Sequence, residues 1–177
     1  ALRLAKDSYI KLGRFENLNF NKGFTIGFWL NPERYLKYTY NEGERKILLS
    51  NGKVEVGIEQ AWGQIAFTPE NKETHAFLNY AAMAMNMYNL HFMTFTNDEF
   101  PTMSTYVNDY TTPRATKTAT NWGVGLLSDG DLYVGIPNAT DTKYTMPHGI
   151  GGIMIWDKVL TDDERAAIFN GCTLLEG

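Results

Sequence analysis

Apolar residues recur at every second position along much of this chain, in short runs separated by turn-forming residues. A period of two puts successive side chains on opposite faces of a strand, so each run describes a β-strand with one face for a core. Phe24, Ile26, Phe28 and Leu30 share one face, and Thr25, Gly27, Trp29 and Asn31 share the other. The apolar run 47–49 and the alternating run 53–59 flank Asn51-Gly52. That dipeptide predicts a hairpin with a type I′ turn, which needs positive φ at both residues. Beyond it, Val54, Val56 and Ile58 point inward, and Glu55, Gly57 and Glu59 point outward. Residues 64–67 read as the next strand, 90–96 and 103–108 as a pair, and Leu132, Val134 and Ile136 as another strand. Residues 149–156 are apolar on both faces, which predicts a central strand. Many short strands spaced by turns predict an all-β, two-sheet antiparallel sandwich.

One helix closes the pattern. Thr161-Asp162-Asp163-Glu164 is a capping box, with Thr161 at the N-cap and Glu164 at N3. Residues 165–170 continue it, and Gly171 stands where a C′ glycine ends a helix. Met83, Met85 and Met87 recur at a period of two, which suits the inner face of a strand better than a helix, with Ala81 to Ala84 leaving a helix open. Residues 111–121 are polar and threonine-rich and read as a loop. The chain reads as one domain over residues 1–177. It starts in a strand-like pattern without an initiator Met, so we expect a domain processed or excised from a longer protein.

Charge narrows the partners. Sixteen Lys and Arg against 20 Asp and Glu give a formal net charge of −4, and no basic stripe is present. Nucleic acid is not an expected partner, because phosphate neutralisation needs clustered cations. Membrane insertion is not expected either, since no apolar run approaches the ~20 residues a spanning helix needs. Cys172 is the only cysteine, so no internal disulfide forms and the core alone must hold the fold.

Six ordered segments resemble one family. Ala1-Leu2-Arg3-Leu4 with Asp7-Ser8-Tyr9-Ile10 resembles its opening strand, and the run 24–32 resembles its strongest motif. Residues 90–98 resemble the "W-H-h-a-v-T-y-D" strand, with Asn89 where the Trp usually stands. Residues 104–109 resemble "l-Y-v-N-G", with Asp109 in place of Gly. Leu132-Tyr133-Val134-Gly135 resembles "l-x-i-G", and residues 153–161 resemble "v-r-i-y-n-r-a-L-s" before a short helix. Together they resemble the concanavalin A-like lectin/glucanase superfamily, in its laminin G-like jelly-roll form. The resemblance implies a jelly-roll sandwich with one short C-terminal helix. Its members bind glycans, proteins or calcium, and some are hydrolases. Fold does not choose among these.

The resemblance also says which chemistries to look for. Related glycosidases carry Glu-x-Asp-x-Glu on one strand, whose carboxylates act as nucleophile and acid/base. Here Glu55 and Glu59 keep the outer pair while Gly57 stands at the middle acid, so no catalytic residue is expected and the pair reads as two solvated glutamates. His75, His91 and His148 are the only histidines, and neither a Gly-x-Ser-x-Gly elbow nor a close His/Cys pair occurs, so a nucleophilic triad and a zinc site are not expected. His91 reads as a hydrogen-bonded structural residue. No cofactor is expected to be required. The family's structural calcium would find one matching side chain, Asp7, because Gly151-Gly152 stands where the acidic pair usually does.

Outward aromatics and loop amides suit glycan binding, because sugar C–H faces stack on rings and amides fix hydroxyls. The candidates are Trp29, Trp62, Tyr106, Asn108, Trp122, Tyr133 and Trp156. Trp62 and Trp122 equally suit pinning their loops. Asn138-Ala139-Thr140 is a glycosylation sequon in a eukaryotic secretory host. The expected function is a non-catalytic carbohydrate-binding or adhesion module of an extracellular or surface protein, with a glycan or glycoprotein as partner. The alternative is a structural or protein-interaction domain of a virion or surface assembly, with self-association or a protein partner. A glycoside hydrolase of the same fold is the third reading.

Overall fold

The computed structural model of the chain describes residues 2–31, 45–59, 64–69, 75–79, 87–99, 101–118, 128–146 and 149–173. Of these, the side chains of 58–59, 64–69, 75–79 and 172–173 are not described. The strands are β1 (Ile10–Gly13), β2 (Gly23–Asn31), β3 (Arg45–Ser50), β4 (Val54–Glu59), β5 (Gln64–Pro69), β6 (His75–Asn79), β7 (Asn89–Thr96), β8 (Thr102–Val107), β9 (Ala115–Thr118), β10 (Leu132–Val134), β11 (Lys143–Thr145) and β12 (Gly149–Trp156). The helix α1 (Asp162–Thr173) follows. A five-stranded sheet runs β12-β2-β7-β8-β9. A seven-stranded sheet runs β1-β10-β3-β4-β5-β6, with β11 added parallel to β3. This is the expected two-sheet sandwich with one C-terminal helix.

The alternation does what it predicts. Phe24, Ile26, Phe28 and Leu30 of β2 lie in the inter-sheet core with Leu48, Leu49, Val54, Val56, Leu132 and Val134 from the other sheet. The β2–β7 register pairs Phe24 with Phe95 and Phe28 with His91, and both ring pairs stack, at 4.3 Å and 4.9 Å. Each buried Phe contributes ~1.5–3 kcal/mol by leaving water.

A second core lies outside the five-stranded sheet. Leu90, Phe92, Tyr106 and Leu160 are buried there, packed by Trp29, Met154, Trp156, Ile168 and Phe169, the last two from α1. The capping box forms as expected. The Thr161 backbone N–H donates to Glu164 Oε2 (3.0 Å), and the Glu164 N–H donates to Thr161 Oγ1 (3.3 Å). Thr25, on the outer face of β2, holds the approach to the helix. Its hydroxyl donates to the Lys158 carbonyl (2.9 Å) and accepts from the Leu160 N–H (3.0 Å). Arg165 is buried, donating to the Tyr110 carbonyl (2.9 Å), to the Leu160 carbonyl and to Asp162.

Several sequence expectations are corrected. β12 is an edge strand, not a central one. Its outer face is apolar because α1 covers it. Gly171 does not end the helix, which runs to Thr173. In the β3–β4 turn only Gly52 has positive φ, at +83°, so the type I′ geometry is absent. Asn51 instead closes the turn with its side chain, accepting from the N–H groups of Lys53 (3.0 Å) and Val54 (2.9 Å). Within the expected loop 111–121, β9 pairs with β8 through Ser104–Thr116 and Thr102–Thr118. Met87 is exposed rather than packed in a core, and Met83 and Met85 lie outside the described residues.

Candidate functional site

Alternation placed Trp29, Tyr106 and Trp156 on outward faces, and the structure agrees, but α1 packs over that surface. Tyr106 is only 8% exposed. The Arg165 guanidinium carbon sits 4.0 Å from its ring centroid, which uses the ring as a seat for the helix. Trp156 packs at 6.4 Å from Phe92, and both tryptophans are half-buried. Asn108 is exposed, with φ of 49°, but its amide is engaged. Its Oδ1 accepts from the Leu90 N–H (3.0 Å), and its Nδ2 donates to Asn89 Oδ1 (2.9 Å). The two asparagines thus clamp the ends of β7 and β8. Trp62 and Trp122 lie outside the described residues.

Tyr133 belongs to a different surface. Leu132 and Val134 face the core, so Tyr133 faces outward from the seven-stranded sheet. Register aligns Lys11, Tyr133, Ser50 and Glu55 in one row across β1, β10, β3 and β4. Tyr9, 47% exposed, meets the Tyr133 ring edge-on at 5.5 Å. Lys11 pairs with Asp131 at 2.6 Å. That hydrogen bond and charge hold the Lys11 ammonium above its ordinary pKa.

At the inner end of the row, Glu55 is not a solvated residue. Its carboxylate binds Arg45 (2.7 Å) and Lys143 together. The side chains are 13%, 25% and 33% exposed for Glu55, Arg45 and Lys143. β11 brings Lys143 beside Arg45 by its parallel pairing with β3. The sequence reading found Tyr133 and Glu55 but missed Tyr9, Lys11, Arg45, Asp131 and Lys143. Only the Tyr9/Lys11 alternation signalled any of them.

Of the three glycines that stand where the family pattern has acids, Gly57 and Gly151 are sterically closed, while a Cβ at Gly152 would meet nothing within 4 Å. A Cβ at Gly57 would lie 2.3 Å from the Lys46 carbonyl oxygen and 3.1 Å from the Ile47 Cα, so a middle carboxylate there would displace β3. A Cβ at Gly151 would lie 2.6 Å from the Trp29 Cβ. Calcium wants six to eight oxygens. Asp7 is exposed, and among the described residues no three His, Cys, Asp or Glu side chains gather. His91 is fully buried against Phe28, and burial pushes its imidazole down to about 3. Its Nε2 has no hydrogen-bond partner, which corrects the expectation of a hydrogen-bonded histidine at that atom.

With this geometry in view, the comparisons are specific about scaffold. A family model described as the concanavalin A-like lectin/glucanases superfamily matches residues 4–164. No curated protein matches the chain in sequence. Among solved structures, the ligand-binding domain of botulinum neurotoxin serotype D, in complex with N-acetylneuraminic acid, superposes with a TM-score of 0.67 at 11% identity, over 94% of this chain and 40% of that one. The binding domain of Paraclostridial Mosquitocidal Protein 1 gives 0.65 at 14%, over 97% and 42%. A Bacteroides ovatus protein named as a candidate carbohydrate-binding protein gives 0.63 at 13%, over 92% and 46%. The chain thus spans less than half the length of each of these three solved chains, and at these identities the likeness is one of fold. No helix among the described residues is long and apolar enough to cross a membrane.

Proposed function

The chain belongs to the concanavalin A-like lectin/glucanases superfamily, and on that premise we propose that it is a non-catalytic carbohydrate-binding module of a larger extracellular or surface protein. The observation that carries this reading is the outer face of the seven-stranded sheet. It presents the Tyr9–Tyr133 ring pair beside fixed polar groups, the combination that stacks a sugar ring and fixes its hydroxyls. The similar solved structures named as ligand-binding or carbohydrate-binding support it. Hydrolysis is disfavoured by the same face. Retaining chemistry uses two free carboxyl groups. Glu55 is held by two cations, and position 57 has no room for the middle acid.

The test is a glycan-binding screen of the purified domain, followed by titration of Tyr9→Ala and Tyr133→Ala. Binding that falls about ten-fold or more in Tyr133→Ala, with no reducing ends released from the bound glycan, is expected. Absence of glycan binding would overturn the reading and leave the protein-interaction alternative. Turnover of a bound glycan would overturn the non-catalytic part.

A further inference from the structure

We propose that this face takes a neutral sugar, with the flat side of one sugar unit on the Tyr9–Tyr133 pair and two adjacent hydroxyls bridging the Lys11–Asp131 ion pair. The inference rests on the carbohydrate-binding reading above and adds the ligand class and the residues that select it.

Register carries the first part. Lys11 stands opposite Tyr133 in the β1–β10 pairing. Tyr9 lies two residues from Lys11 and Asp131 two residues from Tyr133, so each shares a strand face with its neighbour. The ring pair and the ion pair therefore lie side by side along the strand direction. Two residues span ~7 Å of strand, a length that one sugar unit covers. In an edge-on pair one ring keeps its faces clear of the other, which leaves a platform for the C–H side of a sugar.

Charge carries the second part. Lys11 and Asp131 meet at 2.6 Å and cancel. The hydrogen bond and charge of Asp131 keep the Lys11 ammonium protonated, and the two tyrosines act in the same direction, which places both phenols within its electrostatic reach. The Lys11 and Asp131 side chains are 57% and 36% exposed, so a ligand meets both without rearrangement. Their mutual bond uses one of the roughly three ammonium donors and one of the roughly four carboxylate acceptor sites. A hydroxyl both donates and accepts. One sugar hydroxyl accepts from Lys11 while its neighbour donates to Asp131, and both bonds are charge-assisted with the pair intact. An anionic ligand would compete with Asp131 for Lys11, and a cationic one with Lys11 for Asp131. Each would leave one charge without its partner, which selects against both.

Methyl hexosides test this on the intact domain: neutral glycosides, their uronic acids and their single-deoxy forms. The expected result is that a neutral glycoside binds about five-fold tighter than its uronic acid, with little dependence on salt. Loss of either of two adjacent hydroxyls should weaken binding about five-fold. Lys11→Met should remove the effect of one of those hydroxyls and Asp131→Ala the effect of the other, while Tyr133→Ala weakens every sugar. Melting temperatures of the variants close to that of the parent confirm that the fold is intact. A uronic acid that binds as tightly as its neutral parent, or deoxy losses that persist unchanged in both charge variants, would overturn this proposal and leave carbohydrate binding standing. Absence of binding to any glycan would overturn both.

Discussion

The two sheets close their inner faces on each other alike, and they differ in what lies outside. The five-stranded sheet carries Leu90, Phe92, Tyr106 and Trp156 outward, and α1 covers them. The seven-stranded sheet carries Tyr9, Lys11, Tyr133 and Glu55 outward, tied by ion pairs and an edge-on ring contact. Aromatic residues stand on both outer faces. In one case they are core and in the other they are surface, and the local pattern of period two is the same. What separates them is a helix that arrives late in the chain and docks on one sheet only.

The largest test of this contrast uses acid. His91 sits in the five-stranded sheet with its imidazole lowered from 6.5 to about 3 by burial. The unfolded chain takes up that proton near pH 6.5, and the folded chain does so only near pH 3. Stability is therefore fully present above pH 6.5 and is lost as pH falls towards 3, by up to about 5 kcal/mol from this group. Denaturant titrations between pH 7 and 4 should show a slope that His91→Phe flattens. An unchanged slope in that variant would remove His91 as the cause.

A smaller effect compares one residue type on both faces. Tyr106→Ala removes the seat of Arg165 and should cost about 3 kcal/mol. Tyr133→Ala removes a half-buried ring and should cost about 1 kcal/mol or less. Equal losses in thermal melts would break the core-against-surface contrast. Comparable to the Tyr133 loss is Thr161→Ala, which removes the N-cap of α1 and should cost about 1 kcal/mol. Lower amide protection in α1 and its underlying strands, with β10 and β3 unchanged, would show that the helix supports only one sheet.

Legibility followed the range of the interactions. The capping box was readable because its donors and acceptors lie within four residues, Thr161 to Glu164. The inner faces of β2 and β4 were readable because alternation is a property of each strand alone. The Asn89–Asn108 clamp left only a trace, as departures from the family pattern at Asn89 and beside Asn108 that make sense once the two amides meet. The Arg45–Glu55–Lys143 cluster left no trace. It depends on β11 joining β3 in parallel, and no local periodicity encodes which strand is a neighbour.

The amino-acid sequence by itself determined the strands, the terminal helix, the sandwich class and the three glycines standing where family members carry acids. These follow from side-chain period, capping chemistry and residue identity, which act over a few positions. The tertiary structure alone decided which outward aromatics became a second core, why Gly57 and Gly151 admit no side chain, and which charges share one face. Those outcomes depend on strand order, register and helix docking, which are set by the packing of segments far apart in the chain.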